Sequence, residues 1–269
     1  MNQPRISASS YSNTAPLVWS FLYGQNHGKV ELILDNAPAR SAELLAHRRV
    51  DAALVPVIAC QTIDNVRLIP DVCVGAREKV RSVCLVTNGQ ELSEVKTVSL
   101  DVSSKTSVIL TKIVFREFLG FEPAWRHAEP DLETMLAQSD AALIIGDPAL
   151  QLSADSALRT PHSALKVLDL AQLWHQHTSL GFVFAMWMTG QETCEIDFAA
   201  ARDEGLAHID GIAAKYASET GLSRDDMKRY LTENISYSVD DSMQAGLQLY
   251  FELAEKHGLI PANKPLNFL

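Results

Sequence analysis

The chain has 269 residues, 47% of them hydrophobic and 21% charged, with a formal net charge of -10. That is enough to bury one sizeable core or two modest ones. The excess of 33 acidic over 23 basic residues argues against a nucleic-acid surface or docking on anionic lipid, but an anionic small molecule stays admissible, because donors in a closed cleft act at contact distance while outer fields are screened within about 8 Å.

The N-terminal stretch MNQPRISASSYSN has no apolar run behind a basic start, so no secretory signal is read and a cytoplasmic location is expected. Arg5 to Ala8 predicts a short strand. A polar turn follows, Ser9-Ser10-Tyr11-Ser12-Asn13, and then a helix over Thr14 to Tyr23. Ser12 or Asn13 could cap that helix, with Pro16 in its first turn. Next come a strand over Val30 to Leu34, a helix over Ala39 to Arg48 and a buried strand over Ala52 to Val55. Val80 to Val86 alternates and predicts a strand ending near the Thr87-Asn88-Gly89 turn.

The pattern then restarts. Thr97 to Leu100 predicts a strand, Ser103 to Leu119 a helix, Glu122 to His127 a strand and Leu132 to Gln138 a helix. Ala141 to Ile145 predicts a buried strand running into Gly146-Asp147-Pro148. This alternation implies parallel sheets with helices on both faces, and two runs of it imply two lobes. Phe182 to Met188 is a late strand, followed by helices over Asp197 to Glu219, Arg224 to Asn234 and Asp240 to His257. Ser223 with Asp226 is a capping-box signature. Crossings at Asn88-Gly89 and at Gln176 to Gly181 would make one lobe of 1–89 plus 178–269 and another of 90–177. Ligands in such folds sit between the lobes, at the carboxyl ends of strands.

Three strand-end clusters carry the candidate chemistry. The first is Ser9 to Thr14, whose neutral donors at a helix N-terminus suit a carboxylate as well as they suit capping. Ser103-Ser104-Lys105-Thr106-Ser107 repeats that chemistry in the other lobe, and the pair would fit a ligand with two anionic ends. The third is Ile144-Ile145-Gly146-Asp147-Pro148. Its glycine would let backbone approach a ligand, and Asp147 could be a base, a ligand contact or a cap. His175-x-His177 resembles a metal pair but has no third ligand at a sensible spacing, so it reads as a solvated loop. Cysteines at 60, 73, 84 and 194 lack C-x-x-C spacing and read as reduced buried thiols. No apolar run approaches the roughly 20 residues of a membrane helix. P-loop, G-x-G-x-x-G and G-x-S-x-G motifs are missing from the sequence.

Five segments in order resemble the chorismate dehydratase family of the futalosine route to menaquinone. Ser10-Tyr11-Ser12-Asn13-Thr14-Ala15-Pro16-Leu17 resembles its S-Y-L-N-T-x-P-L opening. Arg81-Ser82-Val83 is similar to its S-V element, and Ser104-Lys105-Thr106-Ser107-Val108 to its S-R-T-S-V helix start. Leu143 to Asp147 matches L-x-I-G-D, and Thr178 to Ala185 with Trp187 resembles T-G-L-P-F-V-F-A-x-W. The sequence departs from the pattern at Ser12 (apolar in the family), Lys105 (arginine), Ser179 (glycine) and Gly181 (proline).

The resemblance implies an α/β, two-lobed, type II periplasmic-binding-protein-like fold, with mixed, mostly parallel sheets flanked by helices. It implies conversion of chorismate to 3-[(1-carboxyvinyl)oxy]benzoate and water with no cofactor or metal. The expected partner is that small-molecule substrate, with no nucleic acid and no membrane; a homodimer is compatible. Ser10, Tyr11, Thr14, Ser82, Val83, Ser104, Thr106, Ser107, Ile145 and Gly146 are the expected binding residues. Asn13 cannot be a base and is expected to orient substrate or the departing hydroxyl. The substrate's enolpyruvyl carboxylate and Asp147 are the two candidate bases. The related 1,4-dihydroxy-6-naphthoate synthase and a transporter's solute-binding protein are the alternatives.

Overall fold

The computed structural model describes residues 3–154 and 165–269. The first run gives β1 (Arg5–Ser9), α1 (Ala15–Tyr23), β2 (Glu31–Asp35), α2 (Pro38–Ala46), β3 (Ala52–Pro56), the short α3 (Ala59–Thr62) and β4 (Arg67–Ala76). The second gives β5 (Val83–Thr87), β6 (Thr97–Asp101), α4 (Lys105–Ile113), β7 (Ala124–Ala128), α5 (Leu132–Gln138), β8 (Ala141–Ile145), α6 (Gly146–Ala154), β9 (Lys166–Asp169) and α7 (Leu170–Thr178). The chain ends with β10 (Phe182–Thr189), α8 (Phe198–Ala207), α9 (Ile209–Thr220), α10 (Arg224–Arg229) and α11 (Asp241–Lys256).

These strands form two sheets, ordered β2-β1-β3-β10-β4 and β7-β6-β8-β5-β9. The strands that alternate with helices pair in parallel, β1 with β2 and β3, β6 with β7 and β8. Among the described strands, antiparallel pairing enters with β10 and β5, the strands by which the chain arrives from the other sheet. β3 and β8 are buried at every residue, as strands covered on both faces are.

The first crossing differs from expectation. Val83–Thr87 pairs with β8 and β9, so it stands in the second sheet, and the crossing falls at 77–82 rather than at Asn88-Gly89. The apparent strand over Val80 to Val86 is broken at Arg81, whose φ is 64°. The return crossing lies at 179–181, between α7 and β10. β4 escaped the sequence reading because it carries Pro70 and a left-handed Asp71 with φ 54°. Both sit at a sheet edge beside a register shift, which is where a strand tolerates them. The long helix expected over Asp197 to Glu219 is two helices meeting at His208, whose ring stacks on Trp19 at 3.7 Å. His175 and His177 lie in the last turn of α7 rather than in a loop.

Asp169 fixes the first crossing. Its carboxylate accepts the N–H of Val80 at 3.1 Å and of Arg81, and caps α7 by accepting Gln172 N at 3.0 Å. The Arg81 guanidinium grips both oxygens of Asp226 at 3.2 and 2.9 Å, and Arg77 Nε donates to Asp240 at 2.7 Å. The crossing is thus held from α7, α10 and the start of α11. Asp169→Ala should lower the unfolding free energy by at least about 2 kcal/mol, because it removes a cap and strands two buried N–H donors. Urea unfolding measures this; a variant as stable as the parent would refute the anchoring role.

Candidate active site

A cavity of about 60 Å³ lies between the sheets and is lined from both. The turn after β1 gives Tyr11, Asn13 and Thr14; the first crossing gives Ser82 and Val83; the start of α4 gives Ser104, Thr106 and Ser107; the end of β8 gives Ile145 and Gly146. Phe184, Pro56 and Val74 supply apolar wall. Ligand sites commonly hold about 300 Å³ or more, so this cleft is nearly shut. A wider groove of about 690 Å³ runs between α11, β4 and the C-terminal tail, away from the cleft that both sheets line.

Of the expected residues, Ser10 and Asp147 do not line the cavity. The Ser10 hydroxyl donates to Asn36 Oδ1 at 2.7 Å, on the outer side of the turn. Thr14 Oγ1 bonds back to the carbonyls of Ser9 and Tyr11 at 2.6 and 2.8 Å. That folds residues Ser12–Thr14 into one turn of 3-10 helix. No side chain caps α1 or α4, so the capping reading of both serine-rich clusters is replaced.

Asp147 opens α6 and reaches across the cleft. Both its oxygens face the Ser12 N–H at 3.2 Å, and its Oδ1 also accepts the Ser12 hydroxyl. Burial raises its pKa, the Ser12 bonds oppose that rise, and the charge of Glu219 adds to it. Beside it, Gly146 has φ 69°, and a Cβ there would lie 2.7 Å from Tyr11 Cε1 and Cζ. The close approach foreseen for a ligand at this glycine is made by the Tyr11 ring. Burial, then the charge of Asp101, push the Tyr11 hydroxyl up to about 12, with Ser103 hydrogen bonding opposing.

The other lobe's cluster is also tied across the cleft. Thr106 Oγ1 accepts Ile58 N at 3.3 Å, and Tyr250 donates to the Thr106 carbonyl at 3.1 Å. Gly146 N donates to the Ser82 carbonyl at 2.8 Å. Lys105 is exposed and does not line the cavity.

Two site residues escaped the sequence reading. Asp101, the last residue of β6, is fully buried. Its Oδ1 accepts Ser103 N and Oγ at 2.8 and 2.6 Å, and its Oδ2 has no partner among the described residues. Its place at a strand end, two positions before the serine cluster, was the available signal. Tyr230 is the other; it is fully buried, with the Arg81 guanidinium carbon 5.9 Å from its ring centroid, and nothing local in its sequence marks it. Among the described residues, none that lines the cavity is charged. Hydroxyl and amide side chains line it instead, a set that suits carboxylates. Among the described residues no cluster of His, Cys, Asp and Glu could hold a metal, and no helix is long and apolar enough to cross a membrane.

A family model described as "Menaquinone biosynthesis" matches residues 4–256. A chorismate dehydratase of Thermus thermophilus is 31% identical over 257 residues, covering 90% of this chain and 92% of that protein. One of Campylobacter jejuni is 26% identical over 79% of each chain. Solved structures share the fold at lower identity. The periplasmic aliphatic sulphonate binding protein of Escherichia coli aligns with a TM-score of 0.63 at 16% identity, covering 100% of this chain and 94% of that one. The ligand-binding component of an ABC-type import system from Staphylococcus aureus gives 0.65 at 16% identity, covering 98% and 94%. The two-sheet architecture is therefore a periplasmic-binding-protein-like fold.

Asp101 makes the site's electrostatics measurable. Burial raises its folded-state pKa, Ser103 hydrogen bonds oppose that, and Glu129 adds to it. The native state then binds this proton more tightly than the unfolded chain, so its contribution to stability falls as pH rises from the unfolded value, about 3.9, through the raised folded value. Asp101→Asn removes the titration and keeps an acceptor for Ser103. Its stability relative to the parent should therefore rise between about pH 4 and pH 7. Urea unfolding across that range tests this, and a pH-independent difference would count against it.

Proposed function

The chain belongs to the menaquinone biosynthesis family, and we propose that within it this protein is a chorismate dehydratase, a hydro-lyase that converts chorismate to 3-[(1-carboxyvinyl)oxy]benzoate and water. The observation that carries the reading is the donor set: hydroxyls and an amide from both lobes, with no charged lining side chain, converge on one narrow cleft. With the cleft opened, that donor set would suit a ring bearing two carboxylates. Four free cysteines fit a reducing compartment, and a cytoplasmic location is part of the proposal.

The chemistry follows from the substrate. The proton on the ring carbon bearing the ether is vinylogous to the ring carboxylate. Its removal builds charge toward that carboxylate, which donors at the start of α4 would stabilise. Hydroxide then leaves the adjacent carbon, the ring becomes aromatic, and the abstracted proton completes the water. The base we favour is the substrate's enolpyruvyl carboxylate. Held by neutral donors instead of a guanidinium, it keeps its basicity. Asp147 is the weaker candidate, because it does not line the cavity and both its oxygens engage Ser12. Asn13 orients the substrate or the departing hydroxyl.

A plain solute-binding role is the second reading, favoured by the fold shared with transport proteins. Incubation with chorismate separates the two: the dehydratase returns a product lighter by one water, in chelator-treated and dialysed protein as well, whereas a binding protein returns chorismate unchanged. Asn13→Asp should lower kcat/KM by at least ~100-fold, the scale for losing one positioned donor beside developing charge. Asp147→Asn should cost less than the ~100-fold to 10,000-fold expected for a lost general base. A folded Asp147→Asn protein that binds chorismate normally but falls in that range would transfer the base role to Asp147.

A further inference from the structure

β10 is irregular where it passes the cleft. It pairs Val183 with Gly75 but Ala185 with Val74, so Phe184 is the extra residue of a β-bulge on the β4 side. Bulges concentrate next to active sites, where they re-aim a side chain. Neighbouring residues of a regular strand point to opposite faces, yet Phe184 and Ala185 both line the cavity. On the other side of the strand the bulge is anchored, because the Phe184 carbonyl accepts Val57 N at 2.9 Å just past β3. The Phe184 ring packs 4.7 Å from that of Phe182, tilted by 60°. Phe182 in turn meets Trp174 at 5.4 Å and Tyr250 at 5.1 Å, both edge-on. All three of these supporting rings are fully buried, so Phe184 stands on a packed aromatic base. Two aromatic side chains line the cavity among the described residues, Tyr11 and Phe184. The Tyr11 ring is already engaged across the cleft, in the space that Gly146 leaves. Among the described rings Phe184 meets Phe182 alone, which leaves its cavity side for a ligand.

We infer that Phe184 is a specificity-determining residue: it packs against the six-membered ring of the substrate and favours the flat, aromatic state of that ring over a puckered one. Two arenes gain from offset or edge-to-face contact beyond the area they bury. A saturated ring offers Phe184 apolar area alone. Loss of a proton and hydroxide turns the puckered ring of chorismate into an arene, so this contact grows along the reaction. The hydroxyl and amide side chains of the lining hold the carboxylates and are indifferent to that change. The inference deepens the dehydratase reading and rests on chorismate being the substrate.

Calorimetric titration with two acids that do not turn over tests it. One is the product, 3-[(1-carboxyvinyl)oxy]benzoate; the other is the same diacid with a cyclohexane ring. The parent protein should bind the arene about 3- to 10-fold more tightly, the scale of one aromatic pair. Phe184→Leu should bring the ratio to within about twofold, and Phe184→Tyr, which keeps a ring, should preserve it. The ratio isolates the ring contact, since a loosened bulge or a new cavity weakens both acids alike. Phe184→Met also lacks a ring and is unbranched, so it repeats the measurement should the leucine variant fail to fold. A parent that dehydrates chorismate yet binds the two acids equally overturns the role of Phe184 alone, and so does a ratio that survives in Phe184→Leu or Phe184→Met. A parent that binds neither acid and returns chorismate unchanged removes the dehydratase reading and this inference with it.

Discussion

The site depends on one carboxylate reaching across the cleft. Asp147 accepts both hydrogens of Ser12, and Ser12 begins the single 3-10 turn that carries Asn13. Backbone held at one residue fixes the direction of the next side chain. The same strand end gathers the other parts. Gly146, adjacent to Asp147, gives the Tyr11 ring its room and donates its N–H to the Ser82 carbonyl. Three segments distant in sequence thus converge on the end of β8.

That geometry decides the electrostatics. Asp147 and Asp101 are both buried, and burial raises both pKa values. A carboxylate-bearing substrate therefore meets acidic neighbours at the margin and neutral donors in the lining. A guanidinium in the lining would bind a dianion more tightly but would quench the basicity of its carboxylate. Neutral donors accept weaker attraction and leave a substrate carboxylate able to take a proton. The exposure of Lys105, where the family resemblance has arginine, is consistent with charge being kept outside the lining.

Much of this was legible in the sequence, for identifiable reasons. Ala141–Ile145 is a run of small and branched apolar residues ending in Gly-Asp-Pro, and it forms a strand with those bounds. The strand-end serine clusters do face each other, because parallel strands in both sheets deliver their carboxyl ends to one cleft. What escaped depends on tertiary contact. The left-handed Arg81 inside an alternating apolar stretch hid the crossing. Pro70 hid β4, although an edge strand admits it. Tyr230 lies 149 positions after Arg81 by numbering, and their contact, 5.9 Å from guanidinium carbon to ring centroid, exists only in the folded chain. Ser223 does cap α10, by accepting Asp226 N at 3.1 Å, but the Asp226 carboxylate grips Arg81 across the fold, a use that a local capping pattern cannot reveal.

The return crossing is held by chemistry that differs from the resembling motif. Where the resembling motif has glycine and proline, this sequence has Ser179 and Gly181. Ser179 adopts φ 59° all the same, at a cost of roughly 1–2 kcal/mol for a residue with a side chain. It is held by its N–H on the His175 carbonyl at 2.7 Å and by Leu180 N on Thr178 Oγ1 at 3.1 Å. Gly181 donates its N–H to Ser242 Oγ at 3.0 Å, a bond proline cannot make. Its carbonyl accepts Trp174 Nε1 at 3.1 Å and lies 2.0 Å from where a Cβ on Gly246 would stand. The path is therefore set by α11 in place of a proline ring. α11 also reaches the cleft through the Tyr250 bond to Thr106. One helix thus touches both the return crossing and the donor cluster of the second lobe, so the lobes cannot part at this crossing without disturbing the contacts that α11 makes with α4.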